Sequence, residues 1–118
     1  MFKQVPHLDF THLTEDLPEP AETEDVRILW QSPHMRVERI VSFGHASDEA
    51  FWYDQAEDEW VMVLMGEGVL EIDGEAQPRT LRPGDAINLP AHNKHRVVST
   101  SPDGATVWLA IFTGGKGA

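Results

Sequence analysis

The chain has 118 residues, no cysteine, and 20 acidic against 9 basic side chains, a net charge of −11 at pH 7. That length sets one domain around one modest core. The missing thiols exclude disulfides, cysteine nucleophiles and sulfur-ligated metals, and the acidity, which serves solubility, repels phosphate backbones and anionic membranes.

Residues 1–25 read as an acidic, irregular lead-in. They hold Asp9, Glu15, Asp16, Glu19, Glu22, Glu24 and Asp25, with Lys3 as the one base. Pro18 and Pro20 bar a regular strand or helix there. Phe2, Val5, Leu8, Phe10 and Leu13 are candidates to pin the segment onto the body. No apolar leader opens the chain and no apolar run nears the roughly 20 residues of a membrane span, so a cytoplasmic protein is expected.

From Val26 onward strand signals follow at short intervals, over 26–31, 35–43, 59–65, 69–72, 85–89, 96–99 and 106–113. Turn residues separate them: Ser32-Pro33, Gly44, Gly66-Glu67-Gly68, Asp73-Gly74, Pro83-Gly84 and Pro102-Asp103-Gly104. Asp-Gly after an alternating run signals a hairpin. No run keeps a helical period. Many short strands with regular turns predict an all-β sandwich or barrel over 26–113, followed by a flexible tail at 114–118.

Two of these strands are apolar on both faces. Over 59–65, Glu59, Val61, Val63 and Met65 alternate with Trp60, Met62 and Leu64; Trp108 and Ala110 likewise oppose Val107, Leu109 and Ile111. Alternation puts one set inside and the other outside. An outer face without polar residues needs a cover. A homodimer is the first expectation, and the lead-in is the competing cover.

Polar, metal-capable residues stand beside two of the apolar runs. The first stretch is Phe51-Trp-Tyr-Asp-Gln55, then Glu59-Trp-Val-Met-Val-Leu-Met-Gly66; the second is Gly84-Asp-Ala-Ile-Asn-Leu-Pro90-Ala-His92-Asn-Lys-His95-Arg-Val. Together they resemble the paired signature of the cupin superfamily, small single-domain bacterial cupins in particular. The resemblance implies an all-β, single-domain jelly-roll β-barrel that often holds one metal ion. The first motif runs His-x-His, three or four residues, Glu, six residues, Gly. Glu59 and Gly66 match it. Its histidines fall on Tyr53 and Gln55 with the shorter gap, or on Trp52 and Asp54 with the longer. In the second motif Gly84, Pro90 and His95 match, while His92 stands for a glycine and Ser99 for the final asparagine.

The resemblance implies a divalent ion, Zn, Mn, Fe or Ni, held by Glu59 and His95 with Gln55 and His92 as further donors. Glu59 opens an apolar inward face, where a carboxylate needs a compensating partner. His95, Val97 and Ser99 alternate on one face, so His95 is either a ligand or a hydrogen-bonded interior histidine. His92 is a second imidazole if its loop folds inward and a solvent-facing turn residue otherwise. Tyr53, Asp54, Arg39, Val61 and Val63 complete the expected substrate pocket, with Leu89 on its floor. Arg39 sits amid Val37, Val41 and Phe43; if that face points inward its guanidinium could grip a carboxylate, and otherwise it pairs with an acid at the rim. His7, His12, His34 and His45 read as surface residues. No phosphate loop, nucleophile elbow or Ser-His-Asp spacing is present.

Three functions follow: a metal-dependent small-molecule binder or enzyme, which is preferred; a metal-free binding or sensor module; and a structural dimer that serves a protein partner through its acidic segment. Neither nucleic acid nor membrane is expected as a partner.

Overall fold

The computed structural model describes residues 10–114. Phe2, Val5 and Leu8, named above as pins, lie outside these residues, as do positions 115–118 of the tail. Phe10 is 91% exposed and pins nothing. The lead-in is held near its end instead. The Ala21 carbonyl meets His45 Nε2 at 2.8 Å, and the Ser42 hydroxyl donates to Glu24.

Eight strands follow: β1 (Asp25–Ser32), β2 (Met35–Ser42), β3 (Glu57–Met65), β4 (Gly68–Ile72), β5 (Arg79–Leu81), β6 (Ala86–Leu89), β7 (His95–Thr100) and β8 (Thr106–Gly114). All pairings are antiparallel. One sheet has the order β1-β2-β8-β3-β6 and the other β5-β4-β7. The chain is therefore all-β, and no helix among the described residues is long and apolar enough to cross a membrane.

Between the sheets sits a core of Val61, Val63, Leu70, Ile72, Leu81, Leu89, Trp108, Ala110 and Phe112. Each of the larger of these side chains contributes about 1.5–3 kcal/mol by leaving water. The turns are set locally. Gly66, which joins β3 to β4, has φ +77, and a Cβ there would lie 2.5 Å from the Ala105 carbonyl oxygen. That left-handed, crowded position admits glycine alone without strain. β5, with three residues, was too short to show a period of two.

Register decides which face is which. Ile40 pairs with Trp108, and Glu38 with Ala110. Trp108 Nε1 donates to Ser42 Oγ at 3.2 Å, so Ser42, Ile40, Glu38 and Arg36 face the core side of β2. Val37, Arg39 and Val41 therefore lie on the opposite face of the sheet, which is itself covered at Val41, 0% exposed. The inward placement of Arg39 considered above is corrected: its set is the more apolar one, but the outer face of this sheet is itself apolar, so apolarity does not mark the inside. Arg39 is 3% exposed, 3.9 Å from Asp25, and its Nε and Nη1 have no hydrogen-bond partner among the described residues.

Candidate functional site

The 14-residue connection between β2 and β3 has no strand of its own, yet it is tied to the edge of β7. Ser47 N–H donates to the Val97 carbonyl at 2.9 Å, Tyr53 and His95 exchange both backbone hydrogen bonds at 2.7 and 3.2 Å, and His92 N–H reaches the Gln55 carbonyl at 2.7 Å. An extended backbone sends alternate side chains to opposite sides. Tyr53 and Gln55 thus turn into the barrel and Asp54 turns out.

Inside is a cavity of about 270 Å³. Its apolar wall comprises Val26, Ile40, Val61, Leu70, Leu89, Val97, Trp108 and Phe112; its polar wall comprises Glu24, Arg36, Glu38, Tyr53, Gln55, Glu59 and His95. At the centre Glu59 and His95 face one another, with Oε1 and Nε2 3.5 Å apart. Both are buried, at 8% and 5% exposure. Gln55 Nε2 donates to the same Glu59 oxygen at 3.1 Å. The other nitrogen of His95, Nδ1, meets the Asn93 carbonyl at 3.1 Å. A carbonyl only accepts, so Nδ1 carries a proton and Nε2 is the atom turned to Glu59. Burial alone lowers the His95 pKa, but Glu59 and the Asn93 carbonyl outweigh it and the net shift is upward. The imidazolium form is the one this geometry favours.

Tyr53 stacks on His95, with ring centroids 5.2 Å apart and planes 21° apart, and Phe51 braces Tyr53 edge-on. Burial raises the Tyr53 pKa, and Glu24 and Glu59 raise it further. On the opposite wall Arg36 is fully engaged. Its Nε donates to Glu38 at 2.6 Å, its two terminal nitrogens fork onto Glu57 at 3.1 Å each, and its charge lies 4.3 Å from the Phe112 ring centre.

The structure thus brings together Glu59, His95, Gln55, Tyr53 and Val61 around one cavity. The others fall elsewhere. Val63 is fully buried in the core and is not among the lining residues. Arg39 lies on the far side of the sheet. Asp54 and His92 are exposed and bound to each other at 2.7 Å. His92 has φ +63, and Asn93 N–H closes the turn on the Pro90 carbonyl at 3.0 Å. The left-handed backbone explains why the motif has glycine here, and it points the imidazole into solvent. Ser99 also leaves the inward face, because a bulge in the β4–β7 ladder puts Val97 opposite Leu70 and Ser99 opposite Val69.

The gathered donors do not fit the divalent ion that the resemblance implies. One carboxylate, one imidazole and one amide converge. The amide presents its N–H₂ to Glu59, and the second imidazole is outside. Among the described residues no three His, Cys, Asp or Glu side chains are placed to hold a metal ion. Glu59 has its compensating partner in His95 instead.

Arg36, Glu38 and Glu24 were missed from sequence. On β2 the polar set Arg36, Glu38 reads as the solvent face, and only the pairing with β8 reveals that it looks into the barrel.

Comparison with known proteins follows the same lines. The cupin domain family model matches residues 40–112. A crystal structure from Ralstonia eutropha JMP134, provisionally named a mannose-6-phosphate isomerase, superposes with a TM-score of 0.87 at 42% identity, over 89% of this chain and 97% of that one. A protein from Thermus thermophilus gives 0.73 at 20% identity, over 90% and 97%. An RmlC-like cupin with a double-stranded β-helix fold, from Methanocaldococcus jannaschii, gives 0.64 at 14%, over 85% and 88%. The last two speak to the fold alone. No curated protein matches.

Proposed function

We propose, from the premise that this chain belongs to the cupin domain family, that it is a small-molecule-binding protein whose cavity acts through its own acid–imidazole pair and without a resident metal. The observation that carries this reading is the 3.5 Å approach of Glu59 and His95 inside a cavity of about 270 Å³. Buried charges persist where they are paired and hydrogen-bonded, and this pair has Gln55 and the Asn93 carbonyl as further partners. The cavity is small by the standard of ligand sites, so its ligand is a small metabolite.

Such a pair has chemical capacity. Tyr53 stacking and the Asn93 bond hold the His95 ring in one orientation. When protonated, Nε2, 3.5 Å from Glu59, can pass its proton to an acceptor on a bound molecule, with Glu59 steadying the charge. Isomerisation, the activity named for the Ralstonia neighbour, belongs to the proton-moving reactions that such a pair can serve.

The test is a fragment screen read by the indole N–H resonance of Trp108, which lines the cavity, in protein treated with a chelator. Bound fragments should shift that resonance, and Glu59→Gln should weaken them by about 10-fold or more, since a hydrogen bond to a charged group contributes about 1.5–3 kcal/mol. Hits that vanish after chelation and return with a divalent metal would overturn the metal-free reading.

A further inference from the structure

The charges around the cavity are unbalanced. Three carboxylates, Glu24, Glu38 and Glu59, line it beside two cationic groups, Arg36 and His95, and a fourth, Glu57, holds the Arg36 fork from outside the lining. Both cations are committed. Arg36 gives its Nε to Glu38 and its fork to Glu57, the bidentate geometry with which a guanidinium would otherwise clasp a phosphate. His95 turns Nε2 to Glu59 and Nδ1 to a carbonyl. Glu24 has no cation within ion-pair distance among the described residues; its bond is to the Ser42 hydroxyl, which in turn accepts from Trp108 Nε1. Among the described residues one carboxylate, Glu24, thus faces the cavity without a cation partner, and the group as a whole carries more negative than positive charge, within a chain whose net charge is −11.

The walls complete the picture. Trp108, Phe112 and Tyr53 present aromatic surface to the same space. A ring face attracts cations through its quadrupole; Arg36 takes a Phe112 face at 4.3 Å and His95 a Tyr53 face, which leaves Trp108 as the aromatic wall for a guest. Excess carboxylate, an aromatic wall and engaged cations favour a positively charged guest and disfavour an anion, whose desolvation no available cation would offset.

We infer that the cavity takes a small organic ammonium ion, seated between Glu24, Glu59 and the aromatic wall, and that it rejects phosphorylated sugars. The inference rests on the small-molecule reading above and sets the ligand class within it. It separates this chain from the substrate in the Ralstonia neighbour's name.

Four probes test it by titration against the Trp108 indole resonance: choline, its uncharged isostere 3,3-dimethylbutan-1-ol, mannose 6-phosphate and inorganic phosphate. Choline should bind saturably and at least about 10-fold tighter than the isostere, a difference of about 1.4 kcal/mol. Neither phosphate compound should shift the resonance. Glu24→Gln should weaken choline by a similar factor. Glu24 lies outside the strands, and unchanged Trp30 and Trp60 resonances would show that the variant folds; Glu59→Gln gives a second, independent loss. If the isostere matches choline, or mannose 6-phosphate binds more tightly, the ammonium assignment falls while the cavity remains a ligand site. If no probe and no fragment moves Trp108, both readings fall.

Discussion

Gly68 offers the sharpest structural test of how the cavity wall is held. A Cβ at this position would lie 2.2 Å from Trp108 Cη2, 2.4 Å from Cζ2 and 3.1 Å from Cζ3. All three atoms belong to the six-membered ring of the indole. Trp108 cannot swing freely, because it is 4% exposed and Nε1 is tethered to Ser42 at 3.2 Å. Gly68→Ala must therefore separate β4 from β8 or push the indole into the cavity. Overpacking costs about 1–3 kcal/mol, and losing the tether adds about 1 kcal/mol. The reduced freedom of the unfolded chain returns about 0.5–1 kcal/mol. The net expectation is a loss of about 1–3 kcal/mol in urea unfolding at unchanged m-value, together with a displaced Trp108 resonance. Trp108→Phe removes the reach of the six-membered ring, so the double variant should lose less than the two single losses together. The coupling should exceed about 1 kcal/mol, well above the roughly 0.3–0.5 kcal/mol scatter of independent sites. A neutral or stabilising Gly68→Ala, or additive singles, would refute the contact.

Stability should depend on pH through His95. Its pKa is raised in the folded state from 6.5, burial lowering it but Glu59 raising it more, so its contribution is full below the unfolded value and lost as pH climbs through the folded one. Urea midpoints should fall as pH rises above 6.5 and through the raised folded-state value, and Glu59→Gln should flatten that fall; an unchanged slope would remove the pair from the explanation. His92→Gly should leave ligand binding intact and be neutral or stabilising by up to about 1 kcal/mol, since relief of the left-handed backbone outweighs an exposed pair with Asp54. A binding loss would return His92 to the site. Val26, Ile28 and Trp30 on edge strand β1 are exposed, at 55%, 51% and 55%, but Val26 and Ile28 lie on the cavity side, opposite Ile40 and Glu38, and Trp30 opposite Val37 on the other; the homodimer stays an expectation. Sedimentation should report twice the 13.2 kDa chain mass, and a monomer would overturn it.

The barrel was legible because its signals are local. Alternation in 59–65 and 106–113, and turns at Gly66 and Gly84, depend only on neighbouring residues. The meeting of Glu59 with His95 followed from motif spacing. What escaped depends on pairing across the sheet. The parity of β2 could not be read from Val37, Arg39 and Val41, because both faces of this sheet are largely apolar and polarity then carries no direction. Val98 breaks the alternation of β7 by a bulge that its neighbours Val97 and Ser99 do not announce. The outward turn of His92 was hidden for another reason: a histidine holds a backbone conformation that ordinarily selects glycine, so its side chain follows the turn and not its chemistry.

Two substitutions would turn this site into a metal site. The motif places histidines at 53 and 55, where this chain has Tyr and Gln. Two imidazoles there would offer lone pairs to the centre, but Gln55 instead donates an N–H to Glu59 at 3.1 Å and so occupies the acceptor a cation would need. The positions themselves already converge: Tyr53 stacks on His95 and Gln55 touches Glu59. The double variant Tyr53→His/Gln55→His should therefore bind about one equivalent of Zn²⁺ or Ni²⁺ at neutral pH, measured by calorimetry and by a metal-dependent rise in melting temperature. The unaltered protein should show neither. His95→Ala in the double variant should abolish the gain, since a bound ion needs the third imidazole beside the acid. A folded double variant with no metal-dependent stabilisation would mean that the four side chains do not share a centre, and the geometry assigned to Glu59 and His95 would fall with it.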